Sequence, residues 1–333
     1  MIELLGFQAT LYVAGSLNAL LAVAAFWLSF HTVDSLPADE PIAAHASRFR
    51  LYGLPGNTAL LFLFTTGLVS MGMEVVWIRQ LTPYLGNVVY AFAQIVAVYL
   101  LATVVGSRDY RSWSNFHQPG ESASAWSLLA LFAIVPVAAA DPLLPLRLGG
   151  MELVDLRLGG IVFFCALAGF LTPLLVDSWS SGDPDRAGLA YAVNVGGCIL
   201  GPLIAGFWLL PWLGERRTIF LLSLPLFAIA LRTTFQRKGD KAEEPSWGVK
   251  PKLKFALAVV VAIAVFQTSH DYENKYANRE VGRDYTATVV ATGEGFNREL
   301  LVNGAGMTNL TPITKYMAHL PLAFMARPPR TAW

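Results

Sequence analysis

The sequence predicts an α-helical polytopic membrane protein with about eight transmembrane helices and a small C-terminal soluble α+β module. Three observations predict it. Aliphatic, aromatic and Cys residues make up 55% of the 333 residues and charged ones 14%, with a mean hydropathy of +0.50, which leaves too little polar surface to wrap a water-soluble core. The apolar residues are gathered in long runs separated by polar connectors. After Ser269 the texture changes, charges become frequent, and short alternating stretches replace the runs. The lipid bilayer is therefore the first partner expected. A formal net charge of +1 offers no electrostatic footprint for nucleic acid, and none is expected.

A hydrocarbon core about 30 Å thick needs about 20 apolar residues of helix. Runs near that length fall at 4–30, 59–80, 83–105, 124–140, 159–178, 188–213 and 217–235, and a shorter one at 253–268 lacks any charge between Lys254 and His270. The first run follows Met1-Ile2-Glu3, without the basic leader and small-residue cleavage site of a signal peptide, so it reads as a retained helix. The domain division expected is 1–268 for the transmembrane helices and 269–333 for the module. Within the module, residues from Tyr285 to Thr292 and from Arg298 to Gly304 read as strands around a Gly293-Glu294-Gly295 turn, and Lys315 to Met325 as a short helix.

Orientation follows from Lys and Arg in the short loops. With eight crossings one side receives five such charges (Arg79, Arg147, Arg157, Arg216 and Arg217) and the other twelve, among them Arg108, Arg111, Arg186, Arg232, Lys250, Lys252 and Lys254. The twelve-charge side is expected to be cytoplasmic, which places the module on the non-cytoplasmic side of a cell membrane. Trp113, Trp126, Trp179 and Trp212 near helix ends are expected to be exposed and to anchor at the interface.

The second helix carries Glu74 and Arg79 near or within the hydrocarbon, where each is costly unless paired. Five residues apart, they do not stack on one helix face, so another helix is expected to supply each partner. A binding or proton-relay role for Glu74 stands beside a plainer one, a buried polar tie that fixes helix packing while Arg79 snorkels to the headgroups. In the sixth helix Gly197-x-x-x-Gly201 is the spacing that lets helices approach closely. Pro173 and Pro202 each open the backbone ladder and are read as kinks. Cys165 and Cys198 lie inside apolar runs and read as small buried hydrophobes. The five histidines show no metal-ligand spacing, and there is no phosphate-binding glycine loop, Cys-x-x-Cys or nucleophile elbow. No catalytic, cofactor-binding or metal-binding residue is expected, and no cofactor.

Several stretches resemble the membrane-embedded spermidine synthase-like proteins, in which a polytopic domain precedes an aminopropyltransferase-like domain. They are Gly72-Met-Glu74-Val-Val-Trp77-Ile-Arg79, Leu85-Gly86-Asn-Val-Val-Tyr90, Tyr191-Ala-Val-Asn194, Gly206-Phe-Trp-Leu-Leu-Pro211-Trp-Leu-Gly214, Leu300-Leu-Val-Asn303-Gly304 and Thr314-Lys315-Tyr-Met-Ala-His319-Leu-Pro321-Leu. The resemblance implies that residues from 269 onward form the β-rich module preceding a Rossmann-like catalytic domain. The sequence stops before that family's donor-binding glycine loop and catalytic aspartate. It also departs from the soluble synthases: Met307 stands where they carry glutamine, and Thr314-Lys315-Tyr316 where they carry Tyr-His-Glu. Glu74, Arg79, Tyr90 and Asn194 form the candidate intramembrane polar site. The reading that follows is a non-catalytic membrane subunit or scaffold docking on other membrane protein subunits. The alternatives are an aminopropyltransferase-like enzyme whose catalytic domain is missing from this chain, and a polyamine or ion transporter.

Overall fold

A computed structural model describes residues 2–31, 56–86, 88–114, 122–143, 153–235, 250–295, 298–309 and 311–325. Among them are five helices long and apolar enough to cross a membrane, and a small C-terminal sheet. Two compact units divide the chain, Met1–Ala44 and His45–Trp333, so the helices from residue 56 onward and the C-terminal module belong to one unit. The first unit holds α1 (Ile2–His31), in which Glu3 at the start is the one residue among Asp, Glu, Lys and Arg. A helix apolar all round suits lipid.

In the second unit the helices are α2 (Gly56–Leu85), α3 (Val88–Ser114), α4 (Ser122–Phe132), α5 (Val135–Ala139), α6 (Leu153–Ser180), α7 (Pro184–Ile204), α8 (Leu210–Phe235) and α9 (Pro251–Thr268). Their starts are written locally. Asp183 caps α7 by accepting from the amides of Asp185 and Arg186, with Pro184 in the first turn. Pro251 opens α9 in the same way.

Three boundaries differ from the sequence reading. The helix expected to stop near residue 80 runs on through Pro83 to Leu85; a proline this close to the end removes one backbone bond without stopping the helix. The run 124–140 is two helices, because the ring of Pro136 clashes with the carbonyl four residues earlier, that of Phe132, and α4 ends there. The run ending near Leu213 passes from α7 through a π turn at Ala205–Leu209 into α8 without a gap. The break comes at Gly214, whose φ of 73° and ψ of 178° lie outside the helical region and favour glycine.

Helix α2 runs through the middle of the bundle. Phe62, Leu63, Val69, Met73, Val76, Trp77 and Leu81 along it are all buried. The Trp77 ring meets Phe164 of α6 edge-on at 5.5 Å, and Phe62 meets Trp126 of α4 at 5.2 Å. Trp126, expected at the interface, is therefore core: it is fully buried, because α4 packs this face against α2. Trp212 is 85% exposed. The Trp113 side chain lies outside the described residues.

The module is a four-stranded antiparallel meander, β1 (Glu280–Arg283), β2 (Thr288–Thr292), β3 (Glu299–Val302) and β4 (Ala305–Asn309), in sheet order β1-β2-β3-β4, followed by α10 (Pro312–Ala323). Val290 and Leu301 pair across β2 and β3 and are both buried. The strand expected from Tyr285 begins only at Thr288. Before it the Asp284 carboxylate accepts from the amides of Thr286 and Ala287, both at 2.6 Å, and winds the chain into a turn. These two amides hold the Asp284 carboxyl below its ordinary range. Asn303 and Gly304, both at positive φ, make the two-residue turn between β3 and β4. Thr311 and Thr314 form a reciprocal cap that starts α10 three residues before the expected Lys315.

Candidate functional site

The four residues of the expected intramembrane site do not converge. Glu74 sits on α2, 9% exposed and with no ion pair among the described residues. It lies within electrostatic reach of Tyr99 of α3, Cys165 of α6 and Cys198 of α7. Asn194 of α7 instead donates from Nδ2 to the Leu63 carbonyl of α2 at 2.7 Å, and accepts from Cys198 Sγ at 3.8 Å. Tyr90, at the start of α3, is 56% exposed. Both cysteines are free thiols, Cys165 buried and Cys198 half-buried.

Asn194 belongs to a helix crossing. A Cβ added at Gly197 would lie 2.2 Å from the Phe64 carbonyl oxygen, and one at Gly201 2.1 Å from that of Leu68. Backbone therefore touches backbone where α2 meets α7. The same device holds α3 to α6 at Gly106 and Gly169, against the Ala166 and Thr103 carbonyls. That second crossing was missed, although Ala102-x-x-x-Gly106 carries a small-residue spacing like that of the first.

Arg79 points away from Glu74 to the far end of α2, where the polar groups do converge. Its Nε is 3.2 Å from Glu215 Oε1 of α8 and donates to Thr288 Oγ1 of β2 at 3.1 Å. Nη1 donates to the Asp284 carbonyl at 2.7 Å. Thr288 in turn donates its hydroxyl to Glu215 Oε1 at 2.9 Å, so helix α2, helix α8 and the sheet meet in one closed triad. Arg79 is 8% exposed on its side chain and Glu215 13%. Glu215 was not singled out by sequence, because it lies in the short charged stretch Glu215-Arg216-Arg217 between two apolar runs, where a charge reads as solvated.

Further ties surround the triad. Arg283 of β1 donates from Nη2 to the buried Glu273 carboxylate at 2.6 Å, and its guanidinium lies over Gly214, where any Cβ would be 3.2 Å from Nε. Arg216 donates to Ser269 Oγ at 2.9 Å and to the Phe266 carbonyl. The buried Asp141, just after α5, accepts from the His270 amide at 3.0 Å and the Leu143 amide at 2.8 Å. Tyr84 donates to the Ala140 carbonyl at 2.6 Å, carries the Arg157 guanidinium over its ring and meets Tyr272 edge-on. The Asn303-Gly304 turn closes on α2: a Cβ at Gly304 would lie 2.4 Å from Pro83 Cβ. Burial, with the nearby Glu273 charge, pushes the Asp271 carboxyl above its ordinary range, and burial raises the Tyr272 phenol.

The space left between these groups is a cavity of about 30 Å³ bounded by Arg79, Gln80, Pro83, Glu215, Asp271 and Asn303. Arg79 Nη2 and Gln80 Oε1 are buried there without a protein partner. That volume holds one or two waters and is about a tenth of the smallest usual ligand pocket. Among the described residues no three of His, Cys, Asp and Glu gather as a metal site requires. The arrangement can fasten the sheet to the helices and order a water. Compared with known protein families, curated proteins and solved structures, the chain matches none.

Proposed function

We propose that this chain is a non-catalytic integral membrane subunit or scaffold, a bundle of about eight transmembrane helices that holds a small β-rich module in a fixed pose outside the cytoplasm for partner proteins to dock on. The observation that carries this reading is the joint at Arg79, Glu215 and Thr288. Around a cavity of about 30 Å³, Arg79, Glu215 and Thr288 bind one another and fasten module to bundle.

The span Pro184–Phe235 is 52 residues long, about 78 Å of helix against a core of about 30 Å, which favours reading the break at Gly214 as the divide between two passes. Counting those two with the other four long helices and the shorter apolar helices Tyr12–Leu28 and Ser124–Ala139 gives eight. Contacts support the alternation. Arg232 at the end of α8 reaches Thr58 at the start of α2, Tyr110 of α3 donates to Asp177 of α6, and Lys252 of α9 lies over Phe235 of α8. These pairs belong to the helix ends opposite the module, and Arg108, Arg111, Arg186, Lys250 and Lys254 belong to those ends too, which favours that side as the cytoplasmic one.

A β-rich module in this place is also what the spermidine synthase-like resemblance implies, and it supports the second reading, in which an aminopropyltransferase-like catalytic domain is supplied from outside these residues. One experiment separates the two. The native protein is purified in mild detergent, and its intact mass is measured with its co-purifying chains. A mass matching 333 residues with a stoichiometric partner is expected. A lone monomer argues against the scaffold, and a mass larger by a catalytic domain moves the enzyme reading first.

A further inference from the structure

Helix α10 carries an apolar stripe that nothing in the described structure covers. Ile313, Tyr316, Met317 and Leu320, with Phe324 at the C-cap, recur at the three- and four-residue spacing of one helix face. All are exposed, Met317 by 72% and Phe324 by 83%. Lys315 and His319 fall on the opposite face, together with Leu322. A water-facing helix would carry the reverse pattern, so the stripe meets another apolar phase.

Two observations say which phase. From Leu300 onward the sequence contains no Asp or Glu, while Lys315, Arg327 and Arg330 are all basic; a basic amphipathic segment complements an anionic lipid surface. The module is also already at membrane level. Tyr285, between β1 and β2, stacks at 5.7 Å on Phe207, a residue of the membrane span Pro184–Phe235. Beside Phe207 stand Trp208 and Trp212, 72% and 85% exposed, as interfacial anchors do. The triad at Arg79 ties the module to helices α2 and α8. We propose that α10 lies in the headgroup region of the bilayer that the chain itself crosses, its Ile313–Tyr316–Met317–Leu320–Phe324 stripe immersed among the acyl chains and its basic residues at anionic phosphates. This inference rests on the membrane class of the chain and not on its scaffold role.

The test uses the full chain in nanodiscs of phosphatidylcholine and phosphatidylglycerol. In a Cys165→Ala, Cys198→Ala background that keeps the wild-type melting profile, nitroxide labels are placed by Met317→Cys, Leu320→Cys and His319→Cys. Collision with oxygen should exceed collision with a water-soluble nickel chelate at 317 and 320, with the order reversed at 319. Omitting phosphatidylglycerol should reduce immersion at 317 and 320. Equal nickel access at all three positions overturns the proposal, since the helix would then face water. Exclusion of both reagents at 317 and 320 also overturns it, since protein would then cover the stripe. The wild-type chain gives a second reading free of substitutions: a photoactivatable phosphatidylglycerol should label peptides from 312–325, and no label there overturns the proposal. The scaffold reading survives either result, because its test is the co-purifying partner.

Discussion

Helix α2 is held twice, by opposite chemistry. Along its middle, α7 lies against it backbone to backbone through Gly197 and Gly201, with one amide bond from Asn194 to the Leu63 carbonyl. At its end, Arg79 ties Glu215 and Thr288 beside a water-sized cavity. On the proposed placement of the helices in a bilayer, the contrast follows from the solvent at each level. Lipid tails are as apolar as leucine, so helices in the hydrocarbon gain nothing from hiding leucines and gain from van der Waals contact that only small residues allow. Where water begins, charged pairs become affordable, and their geometry can fix the direction in which a module projects.

The largest expected effect falls on the dry crossing. Val in place of Gly201 must put a Cβ about where the Leu68 carbonyl and the Gly72 amide already stand, 2.1 and 2.9 Å away. Both are backbone atoms, so no side chain can swing aside. Gly201→Val is expected to cost more than about 4 kcal/mol, the exceptional end of single substitutions, as a collapse of the thermal transition in detergent. A variant that melts with the wild type would show that α2 and α7 separate at little cost, and the contrast between the two grips would fail at its dry end.

The charged end should respond in a different way. Glu215→Gln leaves the Arg79 guanidinium, 8% exposed, without its counter-charge, and breaking a buried pair from one side costs about 3 kcal/mol. Replacing both partners, Arg79→Met with Glu215→Leu, removes the stranded charge, so the double variant should be closer to wild type than the sum of the singles. A cycle of four melting curves measures the coupling. Additive losses would mean that the pair is a bystander and that the Thr288 and Asp284 contacts alone hold the sheet.

Much of this architecture was legible because long apolar runs allow few answers. The apolar runs marked the long helices, and Gly197-x-x-x-Gly201 marked a close crossing, because backbone approach demands residues without side chains. The joint was not legible. Arg79 announced that it needed a partner on another helix, but nothing local distinguishes Glu215 from any charge in a loop. The pairing exists only once Gly214 turns the chain and the sheet brings Thr288 alongside. Strand β1 was missed for a similar reason: Glu280-Val-Gly-Arg283 alternates too briefly to stand out, and its place is set by pairing with β2. Trp126 was misread because a tryptophan near a helix end suits an interface equally well until packing against Phe62 decides it.

The smallest expected effect tests whether the wet end is tuned by burial. The Asp271 carboxyl is raised above the ordinary 3.8, first by burial and then by Glu273, so the folded protein holds that proton more tightly than the unfolded chain does. Its contribution to stability is then complete below the ordinary aspartate value and is lost as pH rises through the raised one. Asp271→Asn cannot ionise, so it should melt slightly above wild type at neutral pH, the gap closing as pH falls toward about 4. Asp284 has the opposite sign: its carboxyl is lowered by the Thr286 and Ala287 amides, so its contribution is present above the ordinary value and disappears only as pH falls below it. Asp284→Asn should therefore melt below wild type at neutral pH. If both variants shifted in the same direction across that range, net charge would govern the module, and the local distinction between a buried carboxyl beside Glu273 and an exposed one held by two amides would carry no weight.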